Sequence, residues 1–109
     1  MKKYKVQLTP RARASITRII SRLETEASGP VARKVRRGLM EAIRKLRTLP
    51  ESHQVFEEIS DEQTVYRRML QWDYKIVFTV DQDLQEVVVV QVYHSARGPQ
   101  WIDSQFKKE

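Results

Sequence analysis

An α+β fold, with an N-terminal strand and a helical hairpin packed on a small antiparallel β-sheet, follows from three features of the sequence. Apolar residues alternate near the N-terminus, two amphipathic stripes of helical period flank Ser28-Gly29-Pro30, and runs rich in β-branched and aromatic residues fill the second half. At 109 residues, 40% hydrophobic and 31% charged, the chain fits one modest core. It is expected to form a single domain over 1–109, with 99–109 as a flexible tail.

Tyr4, Val6 and Leu8 alternate with Lys3, Lys5 and Gln7, the period of a half-buried strand. Thr9-Pro10 then offers a capping hydroxyl ahead of a proline, whose missing N–H costs nothing at a first helical position. Ala12, Ile16, Ile19, Ile20, Leu23 and Ala27 recur at spacings of three and four, while Arg11, Arg13, Arg18 and Arg22 occupy much of the remaining arc. Gly29 suits a left-handed helix end and Pro30 a new first turn, so a second helix is expected over 30–49, closed by Pro50. Its stripe is Val31, Val35, Leu39, Ala42, Ile43 and Leu46.

Residues 51–63 carry Glu51, Glu57, Glu58, Asp61 and Glu62, with Val55, Phe56 and Ile59 to tie them down, and read as a loop with one short strand. Strands are expected over 64–70, 74–80 and 86–93. Gln71-Trp72-Asp73 and Asp81-Gln82-Asp83 are short enough to join them as an antiparallel meander. Val87-Val88-Val89-Val90 does not alternate, which suits a central strand covered on both faces or one partly exposed to a partner. In the tail, Trp101, Ile102 and Phe106 are spaced for one or two amphipathic turns.

With 20 Lys and Arg against 14 Asp and Glu, the net charge is +6 and favours an acidic or nucleic-acid partner. The charge is unevenly spread. Residues 1–48 hold 14 cations against Glu24, Glu26 and Glu41, a net +11, and residues 49–109 hold 6 against 11, a net −5. The chain has no cysteine, which excludes disulfides, thiol catalysis and sulfur-ligated zinc. No run approaches the roughly 20 apolar residues of a membrane span, so a cytoplasmic, unexported protein with no membrane partner is expected.

The loudest chemical signal is the second helix. Arg33, Lys34, Arg36, Arg37, Arg44 and Lys45, with Arg47 beyond them, could neutralise phosphates or dock an acidic protein, or form a merely solvated face. A second constellation lies in the strands. In Tyr66-Arg67-Arg68 adjacent side chains point to opposite faces, so one arginine can serve a concave surface. Arg68 and Lys75 could hold a phosphate. His94 could act as general acid or base, and Arg97 could stabilise a pentavalent phosphate. That set permits metal-free RNA cleavage by the neighbouring 2′-hydroxyl. The plainer alternatives are arginines paired with Glu57-Glu58 or Asp61-Glu62 and a hydrogen-bonded structural histidine. His53 and His94 are too far apart in sequence for a metal-site spacing, and Ser95 lacks a nucleophile turn; no metal is expected.

Val6-Gln7-Leu8-Thr9-Pro10-Arg11-Ala12, Ala42-Ile43-Arg44-Lys45-Leu46 with Pro50, Tyr66-Arg67-Arg68, Tyr74-Lys75-Ile76-Val77-Phe78 and Val92-Tyr93-His94-Ser95-Ala96-Arg97-Gly98-Pro99 together resemble the RelE/ParE superfamily of bacterial type II toxin–antitoxin toxins, over about residues 4–99. The resemblance implies a growth-inhibiting toxin of a plasmid-stabilisation system, neutralised by a cognate antitoxin that wraps around it, with no cofactor. RelE-like members cut mRNA in the ribosomal A site, whereas ParE-like members inhibit DNA gyrase. The long helical hairpin and the His94-Ser95-Ala96-Arg97 ending look more like ParE. Against the nuclease branch, Lys75 stands where arginine is frequent, Ser95 where a catalytic arginine is expected, and Trp101 near a tyrosine position, where an indole cannot exchange a proton as a phenol does. The expected function is gyrase inhibition. The alternative is a ribosome-dependent mRNA endonuclease using Arg68, Lys75, His94 and Arg97.

Overall fold

In the computed structural model, which describes residues 3–98 and Trp101, strand β1 (Lys5–Leu8) leads into helices α1 (Pro10–Glu26) and α2 (Gly29–Arg44). Two 3₁₀ turns (Lys45–Arg47 and Pro50–Ser52) and strand β2 (Gln54–Val55) follow, then β3 (Arg67–Gln71), β4 (Tyr74–Asp81) and β5 (Glu86–His94). The sheet order is β1-β5-β4-β3-β2. Strands β2 to β5 form the expected antiparallel meander, but β1 lies parallel to β5, so the sheet is mixed rather than wholly antiparallel. Alternation of apolar residues encodes which side chains are buried and says nothing of a partner's direction, which is set by where the helical hairpin docks.

The hairpin covers one face of the sheet. Ala12 and Ile16 of α1, Leu39, Ala42 and Ile43 of α2 and Leu46 beyond it close on Ile76, Phe78, Val87, Val89 and Val92, all nearly removed from solvent. At the helix junction the structure corrects one expectation: Gly29 takes no left-handed conformation. Ser28 caps α2 by accepting from the Val31 N–H at 3.2 Å, which draws Gly29 into the first helical turn, and the Ala27 N–H closes α1 on the Leu23 carbonyl. Helix α2 also stops at Arg44, short of the expected residue 49. Leu49 precedes a proline, which disfavours the right-handed helical region there, and it adopts φ 52° and ψ 49° instead.

A bulge in β5 determines what each face presents. Val77 pairs with Gln91 but Phe78 with Val89, leaving Val90 as the extra residue. Before the bulge Val87 and Val89 point into the helix-covered core; after it Val92 does, and Tyr93 turns to the other face. Thr9 holds this irregularity: its N–H donates to the Val89 carbonyl at 3.0 Å and its hydroxyl to the Val90 carbonyl at 3.4 Å. The same oxygen accepts from the Ala12 N–H at 3.1 Å and caps α1. Strand β5 is thus an interior strand, as its apolar run suggested, with Val88 and Val90 only half covered on the outer face.

On that outer face a second, smaller cluster gathers Phe56, Ile59, Val77 and Tyr93 under the acidic loop. The loop is knit locally. The Phe56 N–H donates to the Tyr66 carbonyl at 2.7 Å, the Ser60 hydroxyl donates to Phe56 O and accepts from the Tyr66 N–H, and the Asp61 carboxylate accepts from the Gln63 and Thr64 N–H groups. These bonds delay β3 to Arg67, three residues later than its composition suggested. The expected tail lies outside the described residues apart from Trp101, and among the described residues no helix is long and apolar enough to cross a membrane.

Thr9→Ala should cost about 1–2 kcal/mol of stability, since it removes a cap and the hydroxyl on the bulge together, while Thr9→Ser should recover most of it; urea unfolding midpoints measure both. His53 sets a pH dependence. Its ring rests edge-on against Phe78 at 5.8 Å, and burial first, then the Arg67 guanidinium, hold its pKa below the usual value. The unfolded chain therefore binds the proton more readily. This contribution to stability is full above about pH 6.5 and is lost as pH falls through the lower folded-state value, so thermal midpoints should drop on acidification and His53→Gln should flatten that fall.

Candidate functional site

Two surfaces concentrate the chemistry. The first is the outer side of α2 and the turn that follows it, where Arg33, Lys34, Arg36, Arg37, Arg44 and Lys45 are all exposed and none joins an ion pair among the described residues. The core stripe at 32, 35, 39, 42, 43 and 46 forces this: every cation occupies the arc left over once the helix has docked. Arg36 also lines a groove of about 310 Å³ between α1 and α2, with Leu8, Arg13, Ile16, Ile20 and Met40.

The second is the outer face of the sheet. Arg67 and Arg68 diverge as strand geometry requires. Arg67 donates to the carbonyls of Glu51 and His53 at the sheet edge, a structural role, whereas Arg68 lies 4.7 Å from the centre of the Phe56 ring. The Lys75 ammonium shares that ring at 5.5 Å and stands 5.9 Å from the centre of Tyr93. Arg68 reaches Glu58 at 3.9 Å and Gln54 at 3.4 Å, so its pairing with the acidic loop is loose. Arg97 stacks on Trp101 at 4.5 Å, and Trp101 tilts against Tyr93 at 5.2 Å. Arg68, Lys75 and Arg97 are thus arranged around one aromatic cluster of Phe56, Tyr93 and Trp101.

His94 is not with them. Successive residues of β5 face opposite ways, and His94 lies edge-on to Tyr74 at 5.5 Å, on the side of the sheet that carries the helices. Its Nδ1 accepts from the Ala96 N–H at 3.0 Å, which leaves the proton of the neutral ring on Nε2. The Ser95 N–H is bound to the Asp73 carbonyl and the Arg97 N–H to the His94 carbonyl, so this turn closes the end of the strand.

Tyr93, which carried no role in the sequence reading, is the most unusual group of the site. It is 3% exposed, and its hydroxyl finds no hydrogen-bond partner among the described residues. Burial pushes its phenol up, Arg68 opposes this and Glu58 adds to it, so the hydroxyl stays protonated at neutral pH and can donate but not take up a proton. Its signal in the sequence was position alone, next to His94 at the end of an apolar strand. Phe56 read only as an apolar tether, yet it forms the floor under both cations. No cluster of three or more His, Cys, Asp or Glu residues spaced for a metal ion occurs among the described residues. Tyr93→Phe should raise stability by about 1 kcal/mol in urea unfolding, because it deletes a buried donor that has no partner among the described residues.

None of the curated proteins matches the sequence. Among solved structures the fold is similar to a chromosomal ParDE toxin–antitoxin system from P. aeruginosa, with a TM-score of 0.68 at 15% identity, covering 84% of this chain and 96% of that one. It is also similar to a chain of the RelBE2 toxin–antitoxin complex of Mycobacterium tuberculosis (TM-score 0.62, 19% identity, 89% and 97% covered). A third is the archaeal RelE–RelB complex of Pyrococcus horikoshii (0.56, 14%, 89% and 100%). Residues 6–99, from the first strand to the turn after the last, match the family model described as the ParE toxin of the type II toxin–antitoxin system parDE. With that match covering both helices and nearly the whole sheet, the chain belongs to the ParE toxin family of the RelE/ParE superfamily.

Proposed function

We propose that this toxin acts by gripping a protein, DNA gyrase, in the cytoplasm, and that a cognate antitoxin holds it inactive. The observation that supports a binding rather than a cleaving role is the division of the expected catalytic set: Arg68, Lys75 and Arg97 lie on the outer face, His94 on the helix side. An acid–base group must reach the atom whose proton it moves, within about 3 Å or through one water. His94 cannot do this for a phosphate held by Arg68 and Lys75 across the sheet. Phe56 and Trp101 also occupy the ground beside those cations. The antitoxin partner rests on the family and on the complexes in which its structural neighbours were found. A net +11 over the first 48 residues suits an acidic antitoxin segment.

A second reading, ribosome-dependent mRNA cleavage, is favoured by one observation. The Tyr93 hydroxyl has no partner among the described residues, its ring lies 5.9 Å from the Lys75 ammonium and Arg68 acts on it, an arrangement suited to donating to a phosphate.

Induction in a bacterial host with separate pulse labelling of DNA and protein decides between the two. DNA synthesis should fail first, with a DNA-damage response, and His94→Ala or Arg97→Ala should change toxicity only slightly. Translation failing first, with mRNA cut at ribosomes and activity lowered roughly 10²–10⁴-fold by Arg97→Ala or Tyr93→Phe, would establish the nuclease instead.

A further inference from the structure

The β3–β4 turn carries a tryptophan that the core does not need. Trp72 is 49% exposed and sits at φ 55°, a left-handed conformation that costs a bulky residue on the order of 1 kcal/mol or more. Its indole is nevertheless held in place. A Cβ built on Gly38 of α2 would lie 2.1 Å from Cη2 and 2.5 Å from Cζ3 of the ring, so the helix has room for the indole only because residue 38 is glycine. A strained backbone, a glycine notch and a half-exposed tryptophan together make a rigid, pre-positioned anchor of the type that dominates protein interfaces.

The surroundings state what the anchor would meet. Val31, Lys34, Gly38, Glu41 and Lys45 follow at spacings of three and four and form one ridge of the helix and its end. Val31 is 42% exposed. At the far end of the ridge a depression of about 250 Å³ is lined by Lys3, Glu41, Arg44, Lys45, Arg47 and Thr48, four cations to one acid. An acidic protein surface complements this arrangement. A phosphate backbone fits it less well, because Glu41 opens into the same depression.

We propose that Trp72 on Gly38, with the Lys3–Arg44–Lys45–Arg47 depression, is the surface by which the toxin grips its target protein. The occupant is an acidic surface that receives the indole in an apolar recess and sets carboxylates against the cations. This rests on the reading that the target is a protein.

Three readouts test it: binding of purified DNA gyrase to the full chain, growth inhibition in the host, and co-purification with the antitoxin. Trp72→Ala should weaken gyrase binding and growth inhibition by about 30-fold or more. Gly38→Ala, which keeps the tryptophan but pushes it off the helix, should act in the same direction. Lys45→Glu with Arg47→Glu should weaken binding most at low salt, Trp72→Phe should retain part of it, and Leu84→Ala, at the β4–β5 turn, should change nothing. Antitoxin co-purification and thermal midpoints should stay near wild type in the Trp72 variants. If Trp72→Ala binds gyrase and inhibits growth as wild type does, the surface is wrong while the gyrase reading stands. If wild type fails to bind gyrase yet both Trp72→Ala and Gly38→Ala abolish toxicity, the gyrase reading falls and the surface stands with another target. Loss of antitoxin co-purification instead, or loss only of bound, nuclease-sensitive nucleic acid, overturns the proposal.

Discussion

The arrangement of both faces of the sheet depends on Thr9. One hydroxyl caps α1 and donates to the Val90 carbonyl, while the Thr9 N–H takes the Val89 carbonyl, so the start of the helix and the bulge in β5 are built from the same residue. The bulge shifts the alternation of β5 by one position. Without that shift Tyr93 would enter the helix-covered core and Val92 would emerge onto the outer face. A side-chain period of two leaves no intermediate, which is why a single extra residue redirects the functional end of the strand.

Once Tyr93 points outward, the outer face follows. Phe56 and Ile59 cover it, the bonds among Phe56, Ser60, Asp61 and Tyr66 hold the covering loop, and the Arg68 guanidinium and Lys75 ammonium lie over the Phe56 ring. The Tyr93 hydroxyl is what remains unreconciled in this packing. A buried donor with no acceptor among the described residues opposes stability.

The helix-covered face obeys simpler rules. Its apolar stripes take the core positions, and the cations of α2 are left outside, exposed and without an ion pair among the described residues. A stripe of this kind is dictated by burial, and the exposed arc is free to hold charge for a partner. Of the departures from ordinary backbone geometry, those at Leu49, Trp72 and Gln85, Trp72 is the one seated against a glycine of a neighbouring helix. Local strain and long-range packing thus meet in a side chain that stays half in water.

By itself the sequence determined the local elements: the strand at Tyr4–Val6–Leu8, the Thr9-Pro10 cap, two helical stripes, one short strand somewhere within 51–63 and the meander, because each rests on periodicity and turn chemistry within a few residues. It also determined the charge asymmetry, and the motifs from Val6 to Pro99 that the family match covers. Only the tertiary structure decided that β1 lies parallel to β5, that Ser28 rather than Gly29 governs the helix junction, and that His94 parts from Arg68 and Lys75. It alone placed Trp72 on Gly38. The physical reason is shared: pairing direction, bulge position and a contact between a turn and a helix depend on residues far apart in the chain, and a local pattern specifies a side chain's period without specifying its neighbour.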